Sequence, residues 1–175
     1  MTSGVPSVMT LSPEMVSGFE AGDLRKSSWT KTVTSGTQTY VYPFKYQVGQ
    51  NAATITEYTM VIRLAELYLI RAEARTKLND LVGGLSDLNT LRLRAGLPES
   101  DATTEAELTA AIDRERQFEL FGEFGDRWLN IKRNGTANAI MSALRGGNWT
   151  SDDQLFPIPQ TEIDRNPNLV QNSGY

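Results

Sequence analysis

The segment RERQFELFGEFGDRWLNIKR, Arg114–Arg133, holds the residues best suited to chemistry. Glu115, Arg116, Glu119, Glu123, Arg127 and Arg133 stand among Phe118, Leu120, Phe121, Phe124, Trp128 and Ile131. On a helix Glu115 and Glu119 are four apart, and Arg116 and Glu119 three apart, so their side chains meet on adjacent turns of one face. Two readings are open. Neighbouring carboxylates are the equipment of glycoside hydrolases, with Glu115, Glu119 or Glu123 as acid or base. Alternatively, the arginines neutralise the acids in a buried ion-pair lattice that clips this helix to its neighbours, since interior charge is tolerable when paired. The second is favoured, because an arginine beside nearly every glutamate depresses the carboxyl pKa and leaves no protonated acid near neutrality.

A second group of residues suits binding. Trp29–Thr34 and Thr37–Tyr42 fit a β-hairpin around Ser35-Gly36. From Tyr40 the aromatics Tyr40, Tyr42, Phe44 and Tyr46 fall at every second position, which places them on one face of an extended chain. That face either packs on helices or offers a platform for flat ligands such as sugar rings. Phe44 suits packing, while the polar tips of the tyrosines and Trp29 suit a wet surface. Trp29, Tyr40, Tyr42 and Tyr46 are therefore candidates for stacking, with Arg25 and Lys45 as polar partners. Trp149, in GGNWTSDD, is either a further candidate or a loop anchor packed on a helix. Pro43 points to an edge or a loop.

The elements that position these residues read as mostly helical. Residues 1–12 are small and polar and read as a loose arm. Ser12-Pro13-Glu14 is a helix start, with a capping Ser and then Pro at the first position, and Gly22 ends that helix. Met60–Asn79 is apolar over much of its surface and needs cover on several sides. Asp80–Gly84 reads as a turn and Leu85–Ala95 as a second helix, with Gly96 and Pro98 closing it. Ala72 and Gly84 are small residues placed where the two helices of a tetratricopeptide-type hairpin touch. Thr104 with Glu107 forms a capping box for the helix that carries the charged cluster. Gly122 and Gly125 end or bend that helix. Asp126–Lys132, Ala137–Leu144 and Gln160–Arg165 read as short helices, and Gly49-Gln50-Asn51 as a closing turn. Leu155, Phe156, Ile158, Ile163 and Leu169 anchor an irregular tail across the helices.

Composition narrows the function. With 175 residues the chain can bury a real core as one domain. It divides into an irregular, hairpin-bearing ligand side over 1–55, a helical scaffold over 56–145 and an irregular tail over 146–175. A formal net charge of −4 with no basic tract argues against nucleic acid as a partner. The sequence contains neither cysteine nor histidine, so thiol chemistry, Cys–zinc sites and the commonest general base have no residue to use. No cofactor or metal is expected. No apolar run approaches a membrane span. MTSGVPSVMT lacks the character of a signal peptide, which suggests a cytoplasmic protein or the interior of a longer chain.

RLAELYLIRAEA (Arg63–Ala74), LNTLRLRAGL (Leu88–Leu97), ERQFEL (Glu115–Leu120), DRWLNIKR (Asp126–Arg133), LFPIPQTEID (Leu155–Asp164) and NPNLVQNSGY (Asn166–Tyr175) occur in the order seen in the SusD/RagB family. FEAGDLR (Phe19–Arg25) and YPFKY (Tyr42–Tyr46) resemble segments upstream of that core. The resemblance runs from Leu11 to Tyr175 and implies a non-enzymatic, lipid-anchored receptor on the outer-membrane surface of Bacteroidetes-type bacteria. Such a receptor binds glycans or other oligomeric nutrients and passes them to a SusC-type TonB-dependent transporter. The implied fold is mostly α-helical, with tetratricopeptide-like hairpins. The resemblance also implies that this is the C-terminal portion of a longer protein whose signal peptide, lipidated cysteine and N-terminal repeats lie elsewhere, or else a natural short variant. Asn130 stands where the family carries Asp, which implies a neutral hydrogen bond there in place of an ion pair. The quoted motifs carry over as scaffold. A tetratricopeptide-like interaction scaffold without a small ligand is the alternative function.

Overall fold

The computed structural model describes residues 9–48, 54 and 56–175. The described residues are mostly helical with one small antiparallel hairpin, and they form two compact units divided after Phe124. The expected arm is described only from Met9, and the expected Gly49-Gln50-Asn51 turn lies outside the described residues.

The first unit opens with α1 (Pro13–Gly18), whose first turn is capped by the Ser12 hydroxyl accepting from the Met15 amide. A short helix follows, α2 (Leu24–Trp29), whose last residue was expected to open the first strand. Asp23 makes the difference: its carboxylate accepts from the Arg25 amide and starts the helix. Trp29 is thus the last residue of α2 and not the first of a strand. The hairpin pairs β1 (Thr30–Ser35) with β2 (Gln38–Pro43). Ser35 pairs Gln38, so the turn is Gly36-Thr37, one residue later than expected. Gly36 takes φ +61°, which glycine adopts without strain.

α3 (Leu64–Lys77) begins four residues later than its apolar pattern suggests. Arg63 precedes it in extended backbone, φ −116° and ψ 145°, with its guanidinium committed elsewhere. α4 (Leu81–Arg94) begins earlier than expected, because the Asp80 carboxylate caps the Gly83 amide and draws Gly83-Gly84 into the helix. α5 (Glu105–Glu119) starts at Thr104 with both halves of the capping box formed. Ala65, Leu69, Ala72, Leu88, Leu91, Leu108, Ile112 and Leu120 make the core of this three-helix layer. A second cluster, Met15, Phe19, Phe118 and Phe121, fastens α1 to the end of α5. The other side of α3 is uncovered, with Leu64 69%, Leu67 50% and Ile70 48% exposed.

The second unit contains α6 (Asp126–Arg133), α7 (Ala137–Arg145) and α8 (Gln160–Arg165), joined through 3₁₀ turns at Gly146–Asn148 and Ser151–Gln154. Its irregular tail folds back on itself. The Gln171 amide group bonds both the N–H and the C=O of Ile158, Asn172 donates to the Phe156 carbonyl, and the Tyr175 hydroxyl donates to the Leu155 carbonyl.

Candidate ligand-binding site

Two layers of residues make the site, a charged floor and an aromatic wall. The floor is built on the last turns of α5. Glu119 is fully buried, and its two carboxylate oxygens face different arginines. Oε1 accepts from Arg63 at 2.6 Å, while Oε2 accepts from Arg94 at 2.5 Å and Arg25 at 3.2 Å. Glu115, 2% exposed, accepts from Arg25 at 2.5 Å and lies 3.5 Å from Arg92. Arg25 also forks onto Asp23, and Arg92 onto Glu20. Glu123 receives Lys45 and Arg63. Glu20, Asp23, Glu115, Glu119 and Glu123 thus face Arg25, Lys45, Arg63, Arg92 and Arg94, with exposed Arg114 at the rim. Balanced pairing is what makes so much interior charge tolerable.

The titration of these groups follows their surroundings. Burial works against the charge on Glu119, but the hydrogen bonds from Arg94 and Arg63 outweigh it and hold its carboxyl below the ordinary range. Burial dominates at Glu115 and pushes its carboxyl up, with Arg25 opposing. Burial brings the Lys45 ammonium down to about 8, with its hydrogen bond to Glu123 opposing. Glu115 and Glu119 are too deeply enclosed to reach a glycosidic bond, so they do not form an open acid–base pair.

Acid should weaken this unit. Glu119, Glu20 (by Arg92), Asp87 (by Arg71) and Glu107 are all held low in the folded state, Glu107 at about 2 by amides and hydroxyls of Thr103 and Thr104. A depressed folded pKa gives stability that is present above the unfolded value, 4.5 for Glu and 3.8 for Asp, and is lost as pH falls through the folded one. Glu115 has the opposite sign, since acid relieves its buried charge. Glu14 is lowered too, by its own amide and the Ser12 hydroxyl, and with five groups against one the thermal midpoint is expected to hold from pH 7 to about 5 and then to fall towards pH 3. A midpoint that stayed level to pH 3 would contradict this assignment.

The wall is aromatic. Trp29 stands over the floor, tilted against Phe121 at 6.4 Å between ring centroids. The Lys45 ammonium and the Arg63 and Arg94 guanidinium carbons lie 4.7, 5.5 and 5.6 Å from its ring centroid. Trp29, Lys45, Tyr46, Met60, Arg63 and Glu123 line a cleft of about 140 Å³. The Tyr46 hydroxyl accepts from the Met60 amide there, and the ring is 46% exposed. On its other side Trp29 joins Leu24, Arg25, Ser28, Arg94 and Ala95 around a cleft of about 270 Å³.

The residues singled out in the sequence therefore separate. Trp29, Lys45 and Tyr46 come together at one cleft. Tyr42 instead meets Phe44 edge to face at 6.3 Å, with the Lys31 ammonium over the Phe44 ring, and Tyr40 pairs Val33 along the hairpin. Arg25 is closed to a solute: it is 4% exposed and its Nε, Nη1 and Nη2 each end on a carboxylate, so it belongs to the floor. Arg94, which the sequence reading passed over, reaches both floor and wall. Its partner Glu119 is 25 residues away, so nothing local signals this.

Arg116 donates to Glu66 at 3.2 Å. In the second unit Arg133 donates to the neutral amide oxygen of Asn130 at 2.7 Å, a charge-assisted hydrogen bond in place of an ion pair, and half-buried Arg127 is engaged as well. Trp149 sets its ring edge to face with Trp128 at 5.9 Å and donates its indole N–H to Asn138.

The sequence profile of the SusD family matches residues 12–175. The chain belongs to the SusD family. It is 30% identical over 208 residues to SusD-like protein P2 of Formosa agariphila, covering 97% of this chain and 40% of that protein. It is 36% identical over 123 residues to the starch-binding protein SusD of Bacteroides thetaiotaomicron, covering 66% of this chain and 21% of that protein. A SusD superfamily protein of Parabacteroides distasonis superposes with a TM-score of 0.72 at 25% identity, over 95% of this chain and 42% of its own. The chain thus spans well under half the length of these relatives. Of the six ordered motifs, the first four lie along α3, α4, α5 and α6 and the last two in the C-terminal tail.

Proposed function

We propose that this SusD-family chain forms part of a non-catalytic receptor that binds glycans at the outer-membrane surface and delivers them to a SusC-type TonB-dependent transporter. The observation that carries the reading is the family match across α1 to the C-terminus, with a starch-binding protein among the relatives. The site's chemistry supports it. The central carboxylates are neutralised and enclosed, which removes them from catalysis. Trp29, Lys45 and Tyr46 offer ring surface and a polar group at an open cleft, the pairing that a sugar's apolar C–H faces and hydroxyls require. Tyr40, Tyr42 and Trp149 are further proposed contacts on half-buried aromatic surface.

Isothermal calorimetry against a panel of oligosaccharides tests the reading. Tyr46→Ala and Trp29→Ala are each expected to weaken the best binder about tenfold, the scale of losing one ring contact. Absence of binding to every oligosaccharide, or affinities untouched by both substitutions, would overturn it. The scaffold reading, in which the helices dock only a protein, draws on the uncovered Leu64, Leu67 and Ile70 of α3. Capture of the transporter without any soluble ligand, combined with no glycan binding, would favour it.

A further inference from the structure

The cleft between α2 and the end of α4 has a property that the Trp29–Tyr46 cleft lacks. In the floor, Arg25 and Arg63 use Nε, Nη1 and Nη2 on protein acceptors, and Arg92 does the same through Glu20 and the Pro98 carbonyl. Lys45 is 11% exposed and shared between Glu123 and the Glu119 carbonyl. Arg94 differs. Only its Nη2 is bound, to Glu119, and its Nε and Nη1 have no partner among the described residues. Its side chain is 44% exposed. Glu119 fixes one end of the guanidinium and Trp29 lies 5.6 Å from its central carbon, so the group is held in place with donors to spare. Around it stand the apolar Leu24 and Ala95, the exposed Ser28 and Trp29. The cleft's volume of about 270 Å³ is close to the ~300 Å³ lower end of small-molecule pockets, enough for one pyranose ring.

We infer that this cleft receives the carboxylate of a uronate residue in an acidic oligosaccharide. The planar fork of Arg94 matches a carboxylate, the Ser28 hydroxyl is available to a ring hydroxyl, and exposed Leu24 with Trp29 covers the apolar ring face. Arg94 is then a specificity-determining residue that distinguishes acidic from neutral sugars. The inference deepens the glycan-binding reading and rests on it.

The test compares trigalacturonate, its fully methyl-esterified form and a panel of neutral oligosaccharides by calorimetry on the intact chain. The acid is expected to bind at least about tenfold tighter than the ester at low salt, with the gap narrowing as ionic strength rises. Arg94→Lys keeps a charge beside Glu119 but loses the fork, and should reduce the preference to about twofold. Because Arg94 also braces the floor, a second variant leaves it in place: Ser28→Tyr fills the cleft from an exposed position. It should weaken trigalacturonate at least about tenfold with the thermal midpoint unchanged. Equal affinity for acid and ester, or trigalacturonate binding untouched by both variants, overturns the inference and leaves glycan binding standing. Neutral sugars binding while trigalacturonate does not has the same meaning. Failure of every saccharide overturns both.

Discussion

Glu119→Ala is expected to destabilise the first unit by about 3–5 kcal/mol, the cost of stripping the partner from buried charge. Glu119 is fully buried, and removing it leaves Arg25, Arg63 and Arg94 facing one another across a vacancy. Arg25 keeps Asp23 and Glu115, and Arg63 keeps Glu123, so the unit is weakened and not dissolved. Glu119→Gln is expected to recover little. Oε1 and Oε2 both accept from guanidinium groups, so in either orientation the amide –NH₂ meets a donor. The fall in thermal midpoint should be roughly 10 °C for alanine, read by calorimetry at pH 7. Glu123→Ala, at the wetter edge of the lattice, should cost much less. A midpoint within about 2 °C of the parent for Glu119→Ala would remove the lattice from its structural role.

How far the sequence reveals this lattice depends on the range of each interaction. Ser12-Pro13, the Thr104–Glu107 box and the glycines after α5 act within a few residues, so the starts of α1 and α5 and the end of α5 are plain from the letters alone. Where one side chain overrides composition, the boundaries move. Asp23 starts a helix that takes in Trp29, which reads as the first residue of a strand, Asp80 makes a helix of a glycine pair that reads as a turn, and the helix whose apolar pattern begins at Met60 starts only after Arg63. The pairs that define the site are beyond local reading. Arg25 and Glu115 are 90 residues apart, Arg63 and Glu119 56, Lys45 and Glu123 78. An excess of mixed charge among aromatics announces that α5 is paired, but not with which partners. That is why Arg25 reads as a ligand contact in the sequence and proves to be floor, and why Arg94 escapes notice. Aromatic content marks Trp29 and Tyr46 as candidates, but their meeting with Lys45 at one cleft is not legible locally, because Trp29 ends α2 and alternation sets Lys45 on the face opposite Tyr46.

The α3–α4 hairpin, which supplies Arg63 and Arg94 to the floor, depends on a single absent side chain. A Cβ built on Gly84 would lie 2.6 Å from the Thr76 hydroxyl, 3.0 Å from the Ala72 carbonyl and 3.2 Å from Leu108. Two of those neighbours cannot yield easily. The carbonyl is helix backbone, and the hydroxyl is itself bonded to that carbonyl at 2.8 Å. Alanine gains up to about 1 kcal/mol in helix propensity over glycine, but overpacking at a closed contact costs about 1–3 kcal/mol. Gly84→Ala is therefore expected to lower stability despite the propensity gain, and Gly84→Leu to force α3 and α4 apart and abolish cooperative unfolding. Adding Thr76→Ala to Gly84→Ala removes the nearest clash and should restore part of the loss, which a generic helix defect would not allow. Chemical denaturation of the two single variants and the double variant measures the coupling. An alanine at 84 that stabilises the chain would mean that α3 and α4 do not approach this closely, and with it would go the positioning of Arg94 at the end of α4 and Arg63 at the start of α3.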